Sequence, residues 1–425
     1  MAERNPASPP APDAPPSPLL EDREPLVTEH VATLLQDRWH RLRRSAAIRA
    51  GHQPTLMSFT GYGTTGWIRV FSRVVMAPDE AFENGRRLSK VVEDGMRGWH
   101  NFTSPPVPYA RVRVMAGGRT FTVRADRGGV VDAVVEVEME PGWQTVTLES
   151  DGSEPTTSDV YIVEDGVSTG VVSDIDDTVV VTYLPRPMLA AWNSFVLDEH
   201  ARTPTPGMSV MLHRLLEQHP ASPVVYLSTG AWNVAQTLSR FLSRNLYPFG
   251  PLLLTSWGPT EDRWFRSGME HKVTQLDRLA REFPGVRWLL IGDDGQHDPE
   301  IYADFARRHP EKVRAIVIRQ LTPSQALLAG GRATDTRDTT PGVPWCYGPD
   351  GASLARQLEE LGILDAERAA AVPLTWPRNA RDTGVDPEPE DALEGTADGV
   401  GAAGRRPPEG LAEARTAGDA VGHGR

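Results

Sequence analysis

The sequence predicts an α/β fold with a smaller all-β unit ahead of it, and three observations carry that prediction. Beyond Gly166, continuous apolar runs alternate with segments of helical period, the pattern of a parallel sheet covered on both faces. Between residues 67 and 140, short segments alternate apolar and polar residues with period two. Both ends of the chain are rich in Pro, Gly and charge and offer little to bury.

These composition shifts divide the 425 residues. Residues 1–25 are a Pro-rich tail expected to be disordered, and 372–425 a second such tail. Residues 26–150 read as a helix followed by a small antiparallel β-sandwich, residues 160–330 as the parallel-sheet domain, and 331–371 as an extension with a short helix. The opening helix, near Thr28 to Ala50, sets Val31, Leu34, Leu35, Leu42 and Ile48 at helical spacing against Arg38, Arg41, Arg43 and Arg44. Such a basic amphipathic helix can lie on an anionic membrane or pack on its own domain. The sandwich strands are WIRVFSRVV (67–75), YARVRVM (109–115), TFTVRAD (120–126) and VVEVEME (134–140), with Gly117-Gly118 and Arg127-Gly128-Gly129 as turn signals. A helix-like piece around Asp79–Met96 interrupts them.

Bulk properties exclude several functions. A net charge of −13 does not draw the protein to polyanions, so nucleic acid is not the expected partner. A single cysteine, Cys346, leaves no internal disulfide and no Cys-rich zinc site, and fits a reducing compartment. No apolar run approaches the roughly 18–20 residues that span a bilayer, and the N-terminus does not read as a signal peptide. The expected location is cytoplasmic, with peripheral membrane attachment open through the basic helix.

Four features fall at strand ends or helix starts of the α/β domain. The first is Asp174-Ile175-Asp176-Asp177-Thr178, after the apolar strand 170–173. Two carboxylates two residues apart, just off a strand, can face one pocket. One can attack phosphorus, and the other can protonate the leaving oxygen and later deprotonate water. The scheme needs a divalent cation, because carboxylate and phosphate otherwise repel each other. The second feature is Ser228, after Val224–Leu227, a hydroxyl that with the following backbone N–H groups can hold a phosphoryl oxygen. The third is Lys272, read at the start of a helix over 271–283, placed to neutralise charge on the phosphoryl group; His271 beside it reads as structural. The fourth is the strand 288–291 delivering Gly292, Asp293, Asp294 and then Asp298. Asp293 reads as a metal ligand and Asp298 as its support.

In this order the residues resemble the four motifs of the haloacid dehalogenase superfamily, and the DxDxT form resembles its phosphatases. The resemblance implies a Rossmann-like catalytic domain, Asp174 as nucleophile and Asp176 as general acid/base. It implies phosphoryl binding by Thr178, Ser228 and Lys272, and Mg²⁺ held by Asp174, Asp293 and the carbonyl of Asp176. Asp294 stays an alternative to Asp293 as the metal ligand. A narrower likeness runs over about residues 165–325: SDIDDT, LSTGAWN (227–233), the stretch 248–251 followed by three leucines, HK, and IGDDGQHDPEIY. It resembles the catalytic domain of the actin-patch-associated phosphatidate phosphatases of fungi and their bacterial relatives, which implies Mg²⁺-dependent removal of phosphate from phosphatidate or a related lipid phosphate.

The segments 178–224 and 256–272 are too short for a large lid. The first, around Leu184 and Met188–Trp192, can form a small apolar flap. Trp232, Trp257, Trp264 and Phe265 can line an apolar approach or belong to the core. Gly61–Gly66 matches GxGxxG but runs into a β-patterned segment instead of a helix, so it is not read as a dinucleotide loop. A phosphatase of a soluble ester or phosphoprotein, and a non-catalytic docking protein, stand as the alternatives.

Overall fold

The computed structural model describes residues 45–78, 104–181, 203–255, 264–295, 297–328, 340 and 342–366. The helix expected over 28–50 enters this range only at its end, where 45–49 are helical. Both tails, the piece at 79–96, the flap at 184–192 and Trp257 lie outside the described residues, as do the side chains of Trp264 and Phe265.

Seven strands form the first layer: β1 (His52–Thr64), β2 (Trp67–Pro78), β3 (Arg111–Ala116), β4 (Arg119–Arg124), β5 (Val130–Glu136), β6 (Gly142–Ser150) and β7 (Thr156–Val163). They join in the order β4-β3-β6-β7-β1-β2-β5. Every pair is antiparallel except β1 with β7. This corrects the expected antiparallel sandwich: the strands make one continuous sheet that bends until its edges nearly meet. Arg119, opening β4, donates to the carbonyl of Glu136, closing β5, at 3.3 Å. Period-two alternation says which residues face inward, and Val70, Val112, Val114, Leu148 and Ile162 do fill the interior. It does not say which strands pair. The glycine-rich stretch 61–66 lies in β1 and its hairpin with β2, past a register shift between Phe59 and Tyr62. A Cβ on Gly63 would sit 2.2 Å from the Trp67 carbonyl. These glycines serve close strand pairing, as the discounting of a nucleotide loop requires.

The second layer runs β8 (Thr169–Asp174), β9 (Val180–Val181), β10 (Thr203–Pro204), α1 (Met208–Gln218), β11 (Val224–Ala231), α2 (Ala235–Arg244), β12 (Leu252–Thr255), α3 (Trp264–Glu282), β13 (Arg287–Asp293), α4 (Asp298–Arg308), β14 (Val313–Arg319), α5 (Pro323–Leu328), β15 (Trp345–Gly348) and α6 (Gly351–Glu360). Six strands form one wholly parallel sheet, β12-β11-β8-β13-β14-β15. Helices on both faces leave its central strands dry, which is why they read as unbroken apolar runs: Val172, Leu290, Ile291 and Val317 are fully buried. The sheet reaches further along the chain than the sequence pattern implied, because β15 and α6 belong to it although they lie in the stretch read as an extension. Among the described residues no helix is long and apolar enough to cross a membrane.

The two layers share one apolar core. Phe59 and Phe71 of the first sheet pack on Trp232, just after β11, with ring centroids 5.0 and 5.2 Å apart. Tyr62 and Trp67 pack on Phe283. At the end of α3, Glu282 accepts from Tyr62 (2.6 Å) and pairs with Arg69, while Asp132 bridges Arg69 and Arg278. Burying two faces against each other makes them one cooperative unit. Phe71→Ala should therefore cost about 3–5 kcal/mol, read in urea as a single lowered transition followed by signals from both layers; two separate transitions would show that the layers fold independently.

Candidate active site

In an open parallel sheet, ligands bind beyond the carboxyl ends of the strands where the strand order reverses. Here the chain proceeds from β8 outward to β11 and β12, then crosses back to β13 on the other side of β8. The reversal lies between β8 and β13, and these adjacent strands end on Asp174 and Asp293.

Asp174 is almost wholly buried. Lys272 Nζ donates to its Oδ1 at 2.6 Å, and Thr178 Oγ1 donates to its Oδ2 at 3.2 Å. The same ammonium donates to Asp298 Oδ1 at 2.6 Å, so one buried cation bridges two buried carboxylates. Burial pushes the Asp174 carboxyl well above the usual carboxylate range; Lys272 opposes this, and Asp298 and Asp176 add to it. Burial alone would lower Lys272, but Asp174 and Asp298 outweigh it and hold it above an ordinary lysine.

The turn after β8 is tightly tied. Asp177 has a left-handed backbone (φ 56°), unusual for a non-glycine residue. Asp176 is buried, and its Oδ2 accepts from Ser228 Oγ at 3.0 Å. Ser228 Oγ in turn accepts from Gly230 N at 3.0 Å. The Val179 carbonyl accepts from Tyr247 Oη (2.7 Å) and from Thr205 N (3.0 Å). Strand β11 runs past Ser228 to Ala231, with a register shift against β12 after Leu227.

At the end of β13, Asp293 Oδ1 accepts from Gly295 N at 2.7 Å, while its buried Oδ2 has no hydrogen-bond partner among the described residues. Burial raises the Asp293 carboxyl well above its ordinary value, and Asp298, Asp174 and Asp177 raise it further. Asp294 turns the other way: its Oδ1 accepts from Leu321 N at 2.8 Å. Asp298, at the start of α4, reaches back to Asp293 N at 3.4 Å. Gly292 makes room for it, since a Cβ there would lie 2.4 Å from Asp298 Oδ2. Oxygens of Asp174, Asp293 and Asp298 fall within 4.8 Å of one another. Three buried carboxylates against one ammonium, with one oxygen unpartnered, form a donor set that fits a hard divalent cation.

The structure thus brings Asp174, Asp176, Thr178, Ser228, Lys272, Asp293 and Asp298 together and carries Asp294 to the β14 side. Lys272 differs from its expected setting: α3 begins at Trp264, so the lysine lies in mid-helix and reaches the site sideways. The helical pattern is legible in the sequence only from His271, because Gly268 and the polar residues beside it interrupt the two preceding turns. Gly268 is the point of closest approach, where a Cβ would lie 3.0 Å from the Thr229 side chain. His271 Nε2 donates to the Leu253 carbonyl (3.3 Å), and burial lowers it to about 4. Trp232 is core, not an approach to the site. Sequence reading passed over Arg319, a buried cation ending β14, whose signal was a charge closing the apolar run 315–318.

Two outcomes follow. Lys272→Met leaves two buried carboxylates without their cation and should destabilise the fold by about 3–5 kcal/mol in urea; a loss under about 1 kcal/mol would mean that the carboxylates are solvated. His271 is neutral in the folded protein down to pH about 4 and protonates in the unfolded chain near 6.5. Its contribution is complete above pH 6.5 and is lost as pH falls toward 4. His271→Gln should flatten the stability profile in that window, and an unchanged slope would exclude the histidine as its source.

Residues 169–320 match the family described as phosphatidate phosphatase APP1, catalytic domain. A phosphatidate phosphatase APP1 of Saccharomyces cerevisiae is 26% identical over 153 residues, which are 35% of this chain and 25% of that protein. An uncharacterised protein of Schizosaccharomyces pombe is 26% identical over 174 residues, 39% of this chain and 27% of its own length. The chain therefore spans about a quarter of the curated relatives that it matches. A carbohydrate acetylesterase from Xanthomonas citri covers 72% of this chain and 75% of its own, at 12% identity and a TM-score of 0.28, too slight a likeness to carry argument. The matched stretch holds the buried acidic cluster and five of the six parallel strands, and it is over this stretch, residues 169–320, that the chain resembles the APP1 phosphatidate phosphatase catalytic-domain family.

Proposed function

We propose that this chain is a Mg²⁺-dependent phosphomonoester hydrolase of haloacid dehalogenase type, working through a phospho-aspartate on Asp174, with phosphatidate or a related lipid phosphate as substrate. The observation that carries the reading is the buried Lys272 bridge between Asp174 and Asp298 beside the unpartnered Asp293 oxygen. The family match over 169–320 supports hydrolysis of a phosphoric monoester, and the activity for which the yeast relative is named supports the lipid substrate.

In this reading Asp174 and Asp293 hold Mg²⁺, Asp298 steadies both them and Lys272, and the bound cation offsets the repulsion between carboxylate and phosphate. An Asp174 oxygen attacks phosphorus as the bond to the leaving oxygen breaks, and protonated Asp176 gives that oxygen its proton. Water then attacks the same phosphorus, Asp176 takes a proton from it, and the bond to Asp174 breaks, releasing phosphate and restoring both carboxyls. Lys272, already against Asp174, balances the charge that grows on the phosphoryl oxygens. Ser228 donates its hydrogen bond to Asp176 in this state, so binding a phosphoryl oxygen asks it to rotate. The substrate is met at a membrane surface from the cytoplasm, and only its phosphate need enter.

Phosphate release from phosphatidate in mixed micelles with Mg²⁺ tests this. Activity should disappear with EDTA and fall by at least about 10⁴-fold in Asp174→Asn. If phosphatidate is inert while an aryl phosphate is cleaved in an Asp174-dependent way, the mechanism stands and the lipid assignment fails. Turnover that survives Asp174→Asn would overturn the mechanism itself.

A further inference from the structure

Arg319 closes β14 and is only 4% exposed. Its Nη1 donates to the Asp177 carbonyl at 2.5 Å, Nη2 to Gln325 Oε1 at 3.3 Å, and Nε to the Pro349 carbonyl at 3.4 Å. Gln325 Oε1 also accepts from Thr322 N at 3.0 Å, which fixes the residue that orients the guanidinium. The backbone carbonyl of Arg319 accepts from Asp294 N at 3.0 Å. One residue thus joins the turns that follow β8, β13, β14 and β15.

The Asp177 carbonyl is a telling place for a buried guanidinium. Asp177 carries the left-handed backbone of the turn, a conformation that persists in a non-glycine residue only where its surroundings over-determine it. The preceding residue is Asp176, whose carboxylate Ser228 holds here and which must keep its place when that hydroxyl turns to a phosphoryl oxygen. A rigid planar fork suits this task better than a flexible ammonium, because several donors are held in one plane.

We propose that Arg319 is a positioning residue for the acid/base carboxylate: by gripping the Asp177 carbonyl it holds the turn that presents Asp176. The inference rests on the phosphohydrolase reading above. It makes a distinction that mere structural support does not. An alkoxide needs a proton as it leaves, whereas p-nitrophenolate leaves without one, so misplacing the acid penalises alkyl esters selectively.

The test compares kcat/KM, which reports the phosphorylation step, for short-chain phosphatidate and p-nitrophenyl phosphate in wild type, Arg319→Met and Arg319→Lys. Arg319→Met should lose about 100-fold on the alkyl ester and only a few-fold on the aryl ester, and Arg319→Lys should recover part of the alkyl activity alone. Equal losses on both esters would reduce Arg319 to a fold-stabilising residue and overturn the proposal, as would full activity of Arg319→Met on both. If wild type cleaves neither ester in an Asp174-dependent way, the reading of the site has failed, and this role with it.

Discussion

One ammonium group, Lys272 Nζ, lies 2.6 Å from two buried carboxylates that end or follow different strands. Removing the lysine leaves two buried carboxylates without their cation, whereas removing either acid still leaves the ammonium one carboxylate, so the lysine is the position on which the other two depend. The geometry depends on α3 lying close across β11, and Gly268 against Thr229 is where that closeness is met. The same helix ends in Arg278 and Glu282, which with Asp132, Arg69 and Tyr62 fasten the first sheet. A single helix therefore serves the site at its middle and the layer interface at its end.

Ligand chemistry of the site follows from charge in a dry place. Asp174, Asp293 and Asp298 converge with one cation among them, and burial resists further ionisation of Asp174 and Asp293. A divalent ion there would relieve that resistance and give Asp293 Oδ2 a partner. The turn after β8 is built with equal care. Serine, tyrosine, arginine and a backbone amide from four other segments hold Asp176, Asp177 and Val179. The geometry of this turn is kept by hydrogen bonds that cross between loops, not by the strand that leads into it.

Much of the site was legible residue by residue. Asp174 and Asp293 each close an apolar run, and strand ends are where a parallel sheet presents chemistry, so local pattern sufficed to single them out. Asp176 followed from its spacing of two, and Ser228 from the end of β11's apolar run. Asp298 read as support for Asp293, and the structure adds a direct bond from Lys272. The different settings of Asp293 and Asp294 were not legible, because neighbouring residues at a strand end diverge in direction. Asp293 converges with Asp174 and Asp298, while Asp294 accepts from the Leu321 amide.

By itself the sequence determined the α/β class, the all-β unit ahead of it and most of the residues that converge at the candidate site, because periodicity and strand-end position are local properties of a chain. Tertiary structure alone decided which strands pair. It joined the seven early strands into one sheet, added β15 to the parallel sheet, and put Lys272 in mid-helix facing Asp174 from 98 residues away. It also placed Arg319 against a carbonyl 142 residues earlier. Such pairings are settled by which arrangement buries the shared apolar faces and compensates the buried charges, a balance taken over the whole core that no short window of sequence contains.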